Sequence, residues 1–130
     1  MWLKAALITA TAVLAGCAFD VSFVKSEPAQ FTAAAGCGPG WTLLGDESVA
    51  MGTGFATRLK AGTRWRCIGT VEAGQVYRTD DQVVTVEASN IYEAQAVIDT
   101  GRLVGFYLPV EKRFARAPDA ILLQKKETTP

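Results

Sequence analysis

Asp80 and Asp81 are the residues of this chain with the most direct route to chemistry, because glycoside hydrolysis can run on two carboxyl groups alone, one protonated and one ionised. The 130 residues include no histidine, which removes Ser-His-Asp triads, Cys-His dyads and histidine-ligated zinc. Neighbours on a strand point to opposite faces, however, and Thr79-Asp80-Asp81-Gln82 reads as a turn in which aspartate caps its own backbone. Asp46-Glu47 reads the same way. Ser22-Phe23-Val24-Lys25 has the Ser-x-x-Lys spacing that activates a serine nucleophile, yet neither Ser-Asp-Asn nor Lys-Thr-Gly follows it. Gly52-Thr53-Gly54 is too short to cradle a phosphate, and Gly38-Pro39-Gly40 is turn chemistry. The expectation is a chain with no catalytic residue, no metal and no cofactor.

Recognition is the other possible use of these side chains. In Thr63-Arg64-Trp65-Arg66-Cys67, strand alternation puts Thr63, Trp65 and Cys67 on one face and Arg64 and Arg66 on the other. The segment reads either as a stacking platform or as one core tryptophan between two solvated cations. Residues 92–98 and 103–108 flank Asp99-Thr100-Gly101-Arg102 and should form a β-hairpin. A two-residue loop pairs Asp99 with Arg102, Ile98 with Leu103, Val97 with Val104 and Gln95 with Phe106. One face then carries Tyr92, Ala94, Ala96, Ile98, Leu103 and Tyr107, and the other Val97, Val104, Phe106 and Leu108. With both faces apolar, either the C-terminal tail covers one of them or it is left for a partner. The expected contact surface is Tyr92, Tyr107 and Phe106, with Trp65 and Arg66 nearby.

These elements must be delivered somewhere, and the first residues suggest where. Lys4 precedes an uncharged run from Ala5 to Gly16, the layout of an export signal, and the run is too short for a membrane span of about 20 residues. It closes on Leu14-Ala15-Gly16-Cys17, which resembles a bacterial lipobox. The resemblance implies cleavage before Cys17, a diacylglyceryl group on its thiol, and acylation of the new amine. The chain would then be held to a membrane by its lipid. Ala18, where an inner-membrane retention aspartate would stand in enteric lipoproteins, favours the outer membrane facing the periplasm. With Cys17 assigned to lipid, Cys37 and Cys67 remain as an even pair in an oxidising compartment and should form a disulfide.

Charge excludes two further classes of partner. The chain has 13 cations and 13 anions, and losing Lys4 leaves 12 against 13, so neither a nucleic-acid nor a polybasic membrane-surface binder is indicated.

From Trp41 onward, short runs rich in valine, threonine and aromatics alternate with Gly- or Asp-containing breaks. Strands are expected at 41–44, 48–51, 55–60, 63–70, 75–78, 82–87, 92–98 and 103–108, with 121–123 able to add a last one. The fold class is all-β, a small barrel or sandwich of short antiparallel strands. Residues 1–16 are the expected signal peptide, 17–40 the lipidated cysteine and a flexible tether, 41–124 the β-domain and 125–130 a disordered tail. Gly62 to Trp65, Asp81 to Ala94 and Gly101 to Glu111 resemble small uncharacterised proteobacterial lipoproteins, a resemblance that implies no activity. The functional expectation is a lipid-anchored, non-catalytic binding or scaffolding module of the cell envelope, meeting another envelope protein. The alternative is a carbohydrate-facing domain that binds or cleaves glycan with paired carboxylates.

Overall fold

The structure, a computed structural model, describes residues 24–128 and is all-β, with no helix among them. Its strands are β1 (Glu27–Pro28), β2 (Thr32–Ala33), β3 (Trp41–Leu43), β4 (Glu47–Ala50), β5 (Ala56–Leu59), β6 (Arg64–Val71), β7 (Gly74–Thr79), β8 (Thr85–Glu87), β9 (Ile91–Glu93), β10 (Gln95–Asp99), β11 (Arg102–Leu108), β12 (Arg113–Leu122) and β13 (Lys125–Glu127). A nine-stranded antiparallel sheet runs β1-β12-β11-β10-β7-β6-β3-β13, with β2 also on β6. β4-β5 and β8-β9 are separate two-stranded ribbons.

Each expected strand between Trp41 and Leu108 is present, but 92–98 is broken at Ala94 into β9 and β10. The break reroutes pairing: β9 lies on β8, whereas β10 lies between β7 and β11. The longest strand, β12, contains Pro118. Its missing donor falls in an irregularity between the pairs Gly105–Arg116 and Leu103–Ile121, where no ladder bond is needed.

The β10–β11 hairpin turns on Thr100-Gly101, both at positive φ (47° and 81°), as a type I′ turn requires. Asp99 pairs with Arg102 and Ile98 with Leu103, as expected. A bulge then absorbs Val104, so that Val97 faces Gly105 and Gln95 faces Tyr107. One extra residue reverses every later side chain. Phe106 and Leu108 therefore join Ala96, Ile98 and Leu103 on one face, while Tyr107 joins Val97 on the other, correcting the expected face assignment.

Both faces are covered. Phe106, Leu103, Leu43, Trp41 and Trp65 pack with Val49 and Leu59 of the β4-β5 ribbon and Val86 of β8. Side chains seal the seam between β5 and β8 in place of a backbone ladder. The Thr57 hydroxyl donates to the Thr85 carbonyl (3.0 Å), the Gln82 amide donates to the Arg58 carbonyl (3.0 Å), and Gln82 Oε1 accepts from Lys60 N–H (2.7 Å).

The opposite face holds Val71, Val76, Val97, Tyr107 and Phe114, and its cover comes from the N-terminal side. Residues expected as tether pair with the sheet: Glu27–Pro28 on β12 and Thr32–Ala33 on β6, with Phe31 stacked on Tyr107 at 5.5 Å between ring centroids. In a flat sheet β1 and β2 would lie six strand intervals apart, about 29 Å. The chain from Pro28 to Thr32 reaches at most about 14 Å. The sheet must therefore curl until β12 and β6 lie close together, and residues 27–33 close that end as a barrel would be closed. Two glycines permit the approach. A Cβ on Gly69 would lie 2.6 Å from the Phe31 ring, and one on Gly105 would lie 2.9 Å from the Phe114 ring.

The expected C-terminal cover is corrected accordingly: β12 pairs beside β11, and the tail contributes Leu123 to the Phe106 side. Lys125–Glu127, expected as disordered, pairs with β3.

Candidate functional site

Among the expected contact residues, burial separates Arg66 from most of the others. Phe106 is fully buried, Tyr107 lies beneath Phe31, and Trp65 is sandwiched in the interior, its ring stacked on Trp41 at 5.3 Å with its N–H donated to Thr63 Oγ1. Tyr92 is half-buried against the core. These aromatics hold the fold together and do not share an outer surface, which corrects the expected contact face. The reason is the covering of both sides of the hairpin. No coplanar aromatic platform for a sugar results from them. Cys17 and Ser22 lie outside the described residues. Thr53 of Gly52-Thr53-Gly54 is buried and donates to the Glu87 carbonyl (2.6 Å), a turn anchor rather than a phosphate loop.

Arg66 belongs to a charged face built by strand alternation. On β6, Trp65 points inward and Arg64 and Arg66 outward; on β7, Tyr77 points inward and Arg78 outward. The β6–β7 register sets Arg66 directly opposite Arg78. Like charges in that position repel, and Asp80, just beyond β7, lies between them. Its carboxylate accepts from Arg66 Nη1 at 2.6 Å and pairs with Arg78 Nε at 3.4 Å.

Asp81 does different work. It accepts the backbone N–H of Arg64 (2.7 Å) and the Arg64 guanidinium (3.3 Å), while its own N–H is donated to Thr79 Oγ1 (3.1 Å). It therefore pins the turn after β7 to the start of β6. The hydrogen bond and charge of Arg66 hold the Asp80 carboxyl below the usual carboxylate range, and Arg64 does the same for Asp81. Two ionised, arginine-bound carboxylates lack the protonated member that glycosidic cleavage needs.

Pro39, Gly40, Arg64, Trp65, Arg66, Asp80, Asp81 and Thr128 line a shallow cleft of about 550 Å³. Its far wall is the loop after Cys37, and that loop is fixed at several points. The Cys37–Cys67 disulfide is formed, with Cα atoms 5.4 Å apart, within the range that an unstrained backbone spans. Gly38 N–H donates to Gln75 Oε1 (2.9 Å), the Tyr77 hydroxyl lies 3.0 Å from the Pro39 carbonyl, and Thr128 N–H donates to the Gly40 carbonyl (2.9 Å). Burial raises the Tyr77 hydroxyl pKa, so it remains a donor. Gly40 admits no side chain, because a Cβ would sit 2.8 Å from the Trp65 carbonyl.

The outward placement of Arg64 and Arg66 was accessible to sequence reasoning through strand alternation, but the opposition of positions 66 and 78 was not, because a bulge at Ile68 shifts the β6–β7 register by one residue. Nor was the sharing of Asp80, because it depends on the turn. Among the described residues no group of three or more His, Cys, Asp or Glu side chains could hold a metal ion. Comparison of the chain with protein-family models, with curated proteins and with solved structures gave no match, so the site is read from its own geometry.

Proposed function

We propose that this chain is an exported, non-catalytic binding domain, anchored by lipid at Cys17 to the outer membrane, facing the periplasm, and meeting an envelope partner through the β6–β7 charged face. The observation that carries the reading is the bonding of Cys37 to Cys67, which leaves Cys17 as the odd thiol at the end of a lipobox-like segment. Arg66, the exposed member of the expected contact set, directs the partner to the cleft. The paired carboxylates bound to arginine support binding rather than hydrolysis.

Intact-mass analysis of the protein from its native envelope fraction tests the anchor. The expected product begins at an acylated Cys17 with Cys37 and Cys67 oxidised. A product beginning at Met1, unacylated and with reduced thiols, overturns the reading. A photo-crosslinker replacing Thr128, an exposed residue that lines the cleft, should capture a specific envelope protein in cells, whereas one at the exposed Val110, on the β11–β12 turn, should not. Equal capture from both positions counts against the cleft.

A further inference from the structure

Resting on the binding-domain reading above, we propose that Asp80 is an internal occupant of an arginine fork, and that the cleft accepts a carboxylate from an acidic protein segment in its place. Three observations converge. Arg66 and Arg78 face each other across the strand pair and share one carboxylate, so that two guanidinium groups hold half the negative charge they could accept. The two aspartates also differ in how they are held: Asp81 is bonded to a backbone N–H and its side chain is 29% exposed, whereas Asp80 has only side-chain partners and is 60% exposed. Asp81 is thus built into the turn and Asp80 is displaceable. Exposed ion pairs add little to stability, so an incoming carboxylate can exchange with Asp80 at little cost. Finally, one arm of the fork, Arg66, lines with Asp80 a cleft of about 550 Å³ whose other wall, Pro39 and Gly40, is held rigid. That volume suits a few peptide residues. Three guanidinium groups, Arg64, Arg66 and Arg78, share two carboxylates on this face, and that single excess cation selects an acidic segment, while the fork already shows the geometry for a carboxylate.

The test uses the full-length protein in non-ionic detergent, with fluorescently labelled hexaglutamate as probe and anisotropy as readout at about 50 mM ionic strength. The wild type should bind. Asp80→Asn should bind about threefold tighter, since it releases both guanidinium groups, and Arg66→Ala/Arg78→Ala should bind about tenfold weaker. Arg66→Gln, which keeps a polar hydrogen-bonding side chain but removes the charge, should also weaken binding, and thermal melts should show each variant folded. Binding that is unchanged or weaker in Asp80→Asn overturns the proposal, because a purely structural aspartate gives no gain. Arginine-dependent binding to phosphatidylglycerol vesicles without binding to hexaglutamate also overturns it, in favour of lipid. Specific partner capture from position 128 without hexaglutamate binding overturns the acidic ligand and leaves the binding-domain reading standing. Failure of both removes both.

Discussion

Opening the Cys37–Cys67 bond should destabilise the domain chiefly through the unfolded chain. The bridge spans a sequence separation of 30, for which the chain-entropy treatment gives about 4 kcal/mol at 25 °C. The folded loop has other ties, at Gly38 to Gln75, Tyr77 to Pro39 and Thr128 to Gly40, so the native arrangement should survive reduction. For a domain of this size, with an m-value of about 1.5 kcal/mol per molar urea, the midpoint should fall by about 2.5 M. In a thermal melt the same change should lower the midpoint by about 15 °C. Urea unfolding followed by intrinsic tryptophan fluorescence, with and without reductant, measures it. Cys67 packs against the core, so Cys37→Ser/Cys67→Ala is the informative variant beside reduction: reduction keeps the sulfur atoms and isolates the cross-link, while the variant adds a packing loss. A drop below about 0.7 M on reduction, corresponding to about 1 kcal/mol, would refute the reasoning. That result would mean the unfolded chain is already confined.

Gly69→Ala should lower stability by about 2–3 kcal/mol, because the new methyl group meets the Phe31 ring and the Thr32 backbone; hydrogen exchange at Ala34, whose N–H is donated to the Ile68 carbonyl, should accelerate selectively. Phe106→Ala should cost about 3–5 kcal/mol in urea unfolding, and Tyr92→Ala distinctly less, since one ring is fully buried and the other is half-exposed. Equal losses would contradict the difference in burial between the two rings. Acid should weaken the domain through Asp81: its carboxyl is lowered in the folded state, so its contribution is complete above the ordinary carboxylate pKa of about 4 and disappears as pH falls through the lowered value. Urea midpoints of wild type and Asp81→Asn should therefore differ at neutral pH and converge below about pH 4; a constant difference refutes the assignment.

Much of the strand layout was legible because it rests on local alternation. Short runs that carry valine, threonine or aromatic residues between Gly- or Asp-containing breaks mark β4 to β8 and the β10–β11 hairpin, and the Thr100-Gly101 turn fixes the first two pairs of that hairpin. Bulges were not legible. Val104 differs in no local way from its neighbours, and its displacement follows from the close approach of β12 at Gly105, where only a glycine fits. For the same reason Phe106 and Tyr107 were placed on the wrong faces. Residues 27–33 read as linker because Pro28 and two-residue strands carry no periodic signal. What holds them is a pair of distant edges and the Tyr107 ring, and none of these is near in sequence. In the site, the outward arginines were readable from alternation, while the division of labour between Asp80 and Asp81 required the turn in three dimensions.

The early entry of the chain into the sheet bears on where the domain can work. Under the proposed lipidation of Cys17, the contour from the acyl chains to the first strand at Glu27 would be capped at about 35 Å, against roughly 80 Å if folding began after residue 40. On that proposal, a leash this short would keep the protein near the altitude of the lipid headgroups. Its reach would be that of a sentry posted at the bilayer, and partners deeper in the compartment would have to come to it.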